Sequence, residues 1–135
     1  MWFINSKGKE NKVNRITIIG AGYVGLVNGA GISDFGHNVI CADIDHEKIS
    51  TLQDGEIPIF EPGLKELVKR NRVAGRLSFS TNIEKAIRVA DVILIAVGTP
   101  QGENGRADIS AIENVAKIIG NNLNDYKVIC TKSTV

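Results

Sequence analysis

An α/β fold, a doubly wound parallel sheet with helices on both faces, is what the sequence predicts, on three observations. Short apolar runs alternate with helix-like segments from residue 13 to residue 135, the pattern of repeated strand–helix–strand units. The run Val92 to Val97 is apolar at every position, as in a parallel strand buried on both faces. Glycines at 20, 22, 25, 29 and 31 follow directly on the apolar run Ile16 to Ile19. Glycine inside a helix costs about 1 kcal/mol relative to alanine, so this cluster needs a reason.

The elements follow in order. Ile16 to Ile19 is the first strand of the sheet, and Tyr23 to Phe35 a helix. Gly36-His37 turns the chain into a second strand, Asn38 to Ala42. Asp45 can cap a helix that carries Ile49 and Leu52 on one face and closes near Gly55, with a side-chain oxygen at its start and glycine past its end. Pro62 suits the first position of a further helix, with Leu64, Leu67 and Val68 spaced by three and four. Leu77 to Ser80 is a brief strand, and Thr81-Asn82-Ile83-Glu84 has the form of a capping box ahead of Ala86, Ile87 and Ala90. After Val92 to Val97 comes a polar loop, Gly98 to Ala107. Ile109, Ile112, Ala116 and Ile119 form a helical stripe ending at Gly120, and Lys127 to Cys130 is a last strand. The chain stops five residues later, which reads as an unfinished sheet and hence a fragment. No internal repeat is present.

Composition narrows the class. The 135 residues are 43% hydrophobic and 23% charged, with net charge +1, suited to a single globular domain. No excess of either sign argues for nucleic acid or an anionic membrane as partner. The longest apolar run is far too short to span a bilayer. Met1 to Ile4 has no basic region before it or apolar core after it, so no signal peptide is expected. Residues 1–12 read as a disordered tail, and 13–135 as the domain. Cys41 and Cys130 lie in apolar runs without zinc spacing; they read as buried, reduced core thiols of a cytoplasmic protein, and no metal site is expected.

Gly20-Ala21-Gly22-Tyr23-Val24-Gly25 fits G-x-G-x-x-G, and its place between a strand and a helix is what gives the pattern value. Gly20 permits the tight turn, Gly22 lets a pyrophosphate approach the backbone, and Gly25 lets helix and strand lie close. The helix N-terminus offers free N–H donors and partial positive charge to the phosphates. Asp43 stands 18 positions after Gly25, at the end of the next strand. A carboxylate there accepts hydrogen bonds from the adenosine ribose hydroxyls and repels a 2′-phosphate, so the sequence predicts a Rossmann-type domain that binds NAD in preference to NADP. Gly25 and Gly29 share a helix face, whereas no role is evident for Gly31.

Other candidates fall away. Lys132-Ser133-Thr134 is no phosphate loop, because Thr131 stands where glycine is required. Cys130 reads as core rather than nucleophile. His37 and His46 read as turn and capping residues, and Glu61, Asp108, Ser110 and Glu113 as helix-start residues.

Five motifs, "GAGYVGL", "IPIFEPGLKELV", "GRLSFSTN", "VGTP" and "KSTV", occur in the order found in the UDP-glucose/GDP-mannose dehydrogenase family. The chain resembles that family from Val13 to Val135, and within it the bacterial members that oxidise UDP-glucose. The resemblance implies oxidation of UDP-glucose to UDP-glucuronate with reduction of two NAD. It places the pyrophosphate on Gly20 to Gly25, the ribose on Asp43 and a further cofactor contact on Lys48. Val97, Gly98, Thr99 and Pro100 would line the cofactor, as would Ser133 and Thr134, with the Thr134 hydroxyl supporting the reacting centre. The family's nucleophilic cysteine, long connecting helix and sugar-nucleotide domain have no counterpart in these residues, so the chain alone is expected to be inactive. The exposed sheet edge would favour a homo-oligomer. Two other readings stay open: a regulatory dinucleotide-sensing module, and a dehydrogenase of another substrate such as GDP-mannose or UDP-N-acetylmannosamine.

Overall fold

The computed structural model describes residues 2–4 and 10–132. Its centre is a five-stranded, wholly parallel sheet built from β3 (Arg15–Ile19), β4 (Asn38–Ala42), β5 (Leu77–Ser80), β6 (Val92–Ile95) and β7 (Val128–Thr131), in the spatial order β5-β4-β3-β6-β7. The order reverses direction at β3, between β4 and β6. Ligands of open parallel sheets sit at such a switch point, beyond the carboxyl ends of the strands.

Alternation along each strand sends successive side chains to opposite faces and so creates two cores. Ile18, Val39, Cys41, Leu77 and Phe79 join the first, under α1 (Tyr23–Asp34), α2 (His46–Gln53) and α3 (Leu64–Val73). Ile19, Ala42, Ile93 and Ile95 join the second, under α4 (Ile83–Val89) and α5 (Ser110–Asn121). Thr17 is the buried polar residue of the central strand, and its hydroxyl donates to the Ala86 carbonyl at 2.6 Å, so its burial leaves no hydrogen bond unmade.

Several expectations need correction. The helix read as starting at Pro62 starts at Leu64, with Gly63 as its cap at φ 81°; Glu61-Pro62-Gly63 is spent on a turn that brings the chain back to the strand ends. The cap of α4 is Asn82, whose side chain accepts from the Lys85 N–H at 3.1 Å, one position beyond Thr81. On α5 the buried positions are Val115 and Ile119, whereas Ala116 is exposed and Ile109 precedes the helix. The last strands are also displaced: β6 ends at Ile95, and β7 begins at Val128. Cys130 is exposed, not a core thiol, because among the described residues β7 pairs with β6 alone and none of its four residues is buried. Within the stretch read as a disordered tail, β1 (Trp2–Ile4) and β2 (Glu10–Lys12) pair antiparallel.

Candidate dinucleotide site

The turn after β3 is dictated by close approach. Gly20 has φ 111°, its N–H donates to the Ala42 carbonyl at 2.8 Å, and a Cβ there would sit 2.6 Å from the Ala96 carbonyl oxygen. No other residue fits. A Cβ on Gly25 would fall on the Gly20 carbonyl oxygen, so α1 rests directly on the turn that feeds it. Gly22 differs: the space beyond its Cα is open. It is the N-cap of α1, no side chain caps the helix, and the first turn holds no acidic residue. The amide donors and positive dipole end of a twelve-residue helix therefore face that space.

Asp43 follows the last residue of β4. One carboxylate oxygen accepts from the Ala21 N–H at 2.9 Å, the other from the Asp45 N–H at 3.0 Å. The acid read as a ligand group is thus also a brace that ties the end of β4 to the glycine turn. Lys48 lies 3.6 Å from the Asp43 carboxylate. Its place is set by Asp45, which caps α2 by accepting from the Lys48 N–H at 3.0 Å.

Two hollows meet at the turn. One, of about 270 Å³, lies between Gly22, Tyr23 and Val24 on one side and Val97, Gly98, Thr99 and Lys132 on the other. The second, a slot of about 170 Å³, runs from Gly20 and Asp43 between Ile44, Ile83 and Val97 to the face of α5. The structure therefore brings Gly20, Gly22, Tyr23, Val24, Asp43, Val97, Gly98 and Thr99 to one place. Pro100 leads away into a folded loop, its carbonyl accepting from the Asp108 N–H at 2.6 Å. Ser133 and Thr134 lie outside the described residues. A larger hollow of about 460 Å³ lies between Gly55 and α3, but it touches neither the glycine turn nor the switch point, and the paired hollows define the site.

Sequence reasoning missed one contact here. The Tyr23 hydroxyl donates to Glu61 at 3.2 Å, and this bond to a carboxylate holds the phenol's pKa above its ordinary value. Glu61 is no mere helix-start residue: it links the loop before α3 to the glycine turn. Its place inside the motif "IPIFEPGL" was the available signal. His37 accepts from the Asn14 N–H at 3.1 Å, away from the site. Among the described residues no group of three or more potential ligands could hold a metal ion.

The chain is similar to known proteins in sequence and in fold. Residues 14–135 match the family described as "UDP-glucose/GDP-mannose dehydrogenase family, NAD binding domain". The chain is 50% identical over 123 residues to the UDP-glucose 6-dehydrogenase TuaD of Bacillus subtilis, covering 91% of this chain and 27% of that protein. It is 52% identical over 122 residues to the UDP-glucose 6-dehydrogenase of Rhizobium meliloti, covering 90% and 28%. Among solved structures, the UDP-glucose dehydrogenase of Pyrobaculum islandicum superposes with a TM-score of 0.88 at 35% identity, over 92% of this chain and 29% of that one. A ternary complex of GDP-mannose dehydrogenase from Pseudomonas aeruginosa gives 0.85 at 41% identity, over 90% and 28%. The chain spans little more than a quarter of the length of the curated relatives it matches.

Proposed function

The chain belongs to the UDP-glucose/GDP-mannose dehydrogenase family, as its NAD-binding domain, and from that membership we propose that it serves the oxidation of UDP-glucose to UDP-glucuronate. The observation that carries the choice of sugar is identity. Three UDP-glucose 6-dehydrogenases match at 50%, 52% and 51%, against 41% and 45% for two GDP-mannose 6-dehydrogenases.

In this reading the open face of Gly22 and the N-terminus of α1 receive the pyrophosphate of NAD, together with Ala21, Tyr23 and Val24. Asp43 takes the adenosine ribose, with Lys48 beside it. Val97, Gly98, Thr99 and Pro100 line the nicotinamide half. From the family resemblance Ser133 and Thr134 are assigned to the same half of the cofactor, the Thr134 hydroxyl with a supporting role in the reaction. When bound, NAD supplies the hydride acceptor; the chain supplies position and charge. Neither cysteine sits in the site. Cys41 is fully buried beneath α1, and burial pushes its thiol up to about 12, while Cys130 stands on the far strand β7. The nucleophile of the second oxidation must come from the remainder of a full-length enzyme, so the 135-residue chain binds NAD without turnover. Among the described residues β7 pairs with β6 alone, and with Val128 42% and Ile129 46% exposed it offers apolar surface, which supports self-association through that face. A cytoplasmic setting agrees with two free cysteines.

Calorimetric titration of the chain with NAD and NADP, followed by incubation with NAD and UDP-glucose, is the test. Binding of NAD, weaker binding of NADP and no NADH are expected. A preference for NADP would overturn the role given to Asp43, and sustained NADH production would overturn the division between this domain and the rest of the enzyme. Light scattering that shows a clean monomer at high concentration would overturn self-association through β7.

A further inference from the structure

The slot beside Asp43 has a wall that the reading above leaves unused. Helix α5 presents Ala111, Asn114 and Ile118 to it, spaced by three and four residues and therefore on one face. The opposing side chains, Ile44, Ile83 and Val97, are apolar. Asp43 and Asn114 are the two polar side chains that line the slot.

Three asparagines in or beside the helices dispose of their amides locally, whereas among the described residues Asn121, like Asn114, makes no such bond. Asn28 donates to the Val24 carbonyl at 2.8 Å, Asn71 to the Leu67 carbonyl at 2.9 Å, and Asn122, at the end of α5, to the Ile118 carbonyl at 2.8 Å. Each bond runs four residues back. Asn114 makes no such bond to Ser110, and among the described residues its amide has no hydrogen-bond partner. An amide carries both a donor and an acceptor, and this one belongs to a residue that lines the slot.

We propose that Asn114 reads the base of the bound dinucleotide. Its amide oxygen accepts from the 6-amino group of adenine, and its amide N–H donates to the neighbouring ring nitrogen. Adenine offers a donor beside an acceptor on either edge, through its 6-amino group with N1 or with N7, and the asparagine amide matches such a pair. The proposal rests on NAD occupying the glycine turn: a ribose held by Asp43 leaves its base only the length of slot toward α5. Apolar walls on both sides stack the ring. An apolar slot alone accepts any flat base. Asn114 makes it select.

The test compares NAD with nicotinamide 1,N6-ethenoadenine dinucleotide, in which N1 is blocked and the 6-amino nitrogen carries no hydrogen. Both are titrated calorimetrically into the 135-residue chain, into Asn114→Leu and into Asn114→Ala. Asn114 is exposed, so the variants should fold, which circular dichroism checks. The parent chain is expected to prefer NAD by about fivefold or more, the worth of one net hydrogen bond. In both variants that ratio should collapse toward the value set by the added ring alone. The bulk of that ring is common to all three titrations and cancels between them. A ratio unchanged from parent to variants overturns the role of Asn114 and leaves NAD binding standing. Absence of NAD binding in the parent overturns the site itself.

Discussion

Gly29 and Cys41 should be coupled in stability. A Cβ built on Gly29 meets the Cys41 sulfur at 2.6 Å, with Ile18 at 3.5 Å and Leu77 at 3.7 Å. The last two distances are ordinary contact; the first falls about 0.8 Å short of its 3.4 Å lower edge. The sulfur has little room to yield, because Cys41 is fully buried and its thiol donates to the Gly25 carbonyl at 3.8 Å. Gly29→Ala therefore sets a helix-propensity gain of about 1 kcal/mol against an overpacking cost of roughly 1–3 kcal/mol, for a net loss of about 1 kcal/mol. Cys41→Ala removes one buried heavy atom, and the hole costs about 1 kcal/mol by analogy with a deleted methyl. In the double variant the new methyl fills part of that hole, and the recovered propensity gain offsets the remainder and the lost thiol bond to Gly25, so the total loss should be near zero. The interaction energy is then about 2 kcal/mol, within the range for residues in contact. Urea unfolding of the four proteins, followed by circular dichroism, measures it. Losses that simply add would refute the claim that α1 is held against the sheet by the missing side chain at Gly29.

Three further outcomes are expected. Gly20→Ala places a Cβ 2.6 Å from the Ala96 carbonyl at φ 111°, so it should destabilise the domain by about 2 kcal/mol or more and weaken NAD binding; an unchanged melting temperature would sink the account of the turn. A thiol reagent at neutral pH should label one cysteine of the native chain, the exposed Cys130, and reach Cys41 only after denaturation, since burial raises that thiol to about 12; two fast-reacting thiols would contradict the buried position. Hydrogen bonds from Arg70, then Asn71, hold Asp34 below the usual carboxylate pKa, so its stabilisation is present above the unfolded pKa and is lost as pH falls through the folded one. Urea midpoints of the parent should therefore drop more steeply below about pH 4 than those of Asp34→Asn, and parallel curves would deny that linkage.

The parallel sheet was legible because its cause is local. Alternation of apolar runs with helical spacing is written into each segment, and the structure keeps every predicted strand of the sheet. What was not legible depends on neighbours that no window contains. Cys130 sits in a run as apolar as that of Cys41, yet Cys41 lies on the strand beside the centre under α1, and Cys130 on the uncovered edge. The same residue type in the same kind of run has opposite exposure because the position of a strand in the sheet is a property of the whole order. Helix boundaries slipped for a related reason. Pro62 satisfies the rules for a first helical residue, but the turn at Gly63 is needed to return the chain to the strand ends.

The site divides along the same line. G-x-G-x-x-G and Asp43 could be read because Gly20 and Gly25 answer a close approach that glycine alone meets, and an acid at the strand end supplies the charge. Their mutual dependence could not. Asp43 accepts from the Ala21 N–H, so the carboxylate we propose takes the ribose also fixes the loop that would hold the phosphates, and substituting it should disturb both. Tyr23 and Glu61 are 38 residues apart, in motifs that sequence order presents as separate. Only the fold shows that the second returns to the first. Asn114 carries no motif at all: in sequence it is a polar position on an amphipathic helix, indistinguishable from Asn121 or Asn122. It becomes a candidate ligand group only because α5 lines the slot that begins at Asp43 and its amide has no partner among the described residues.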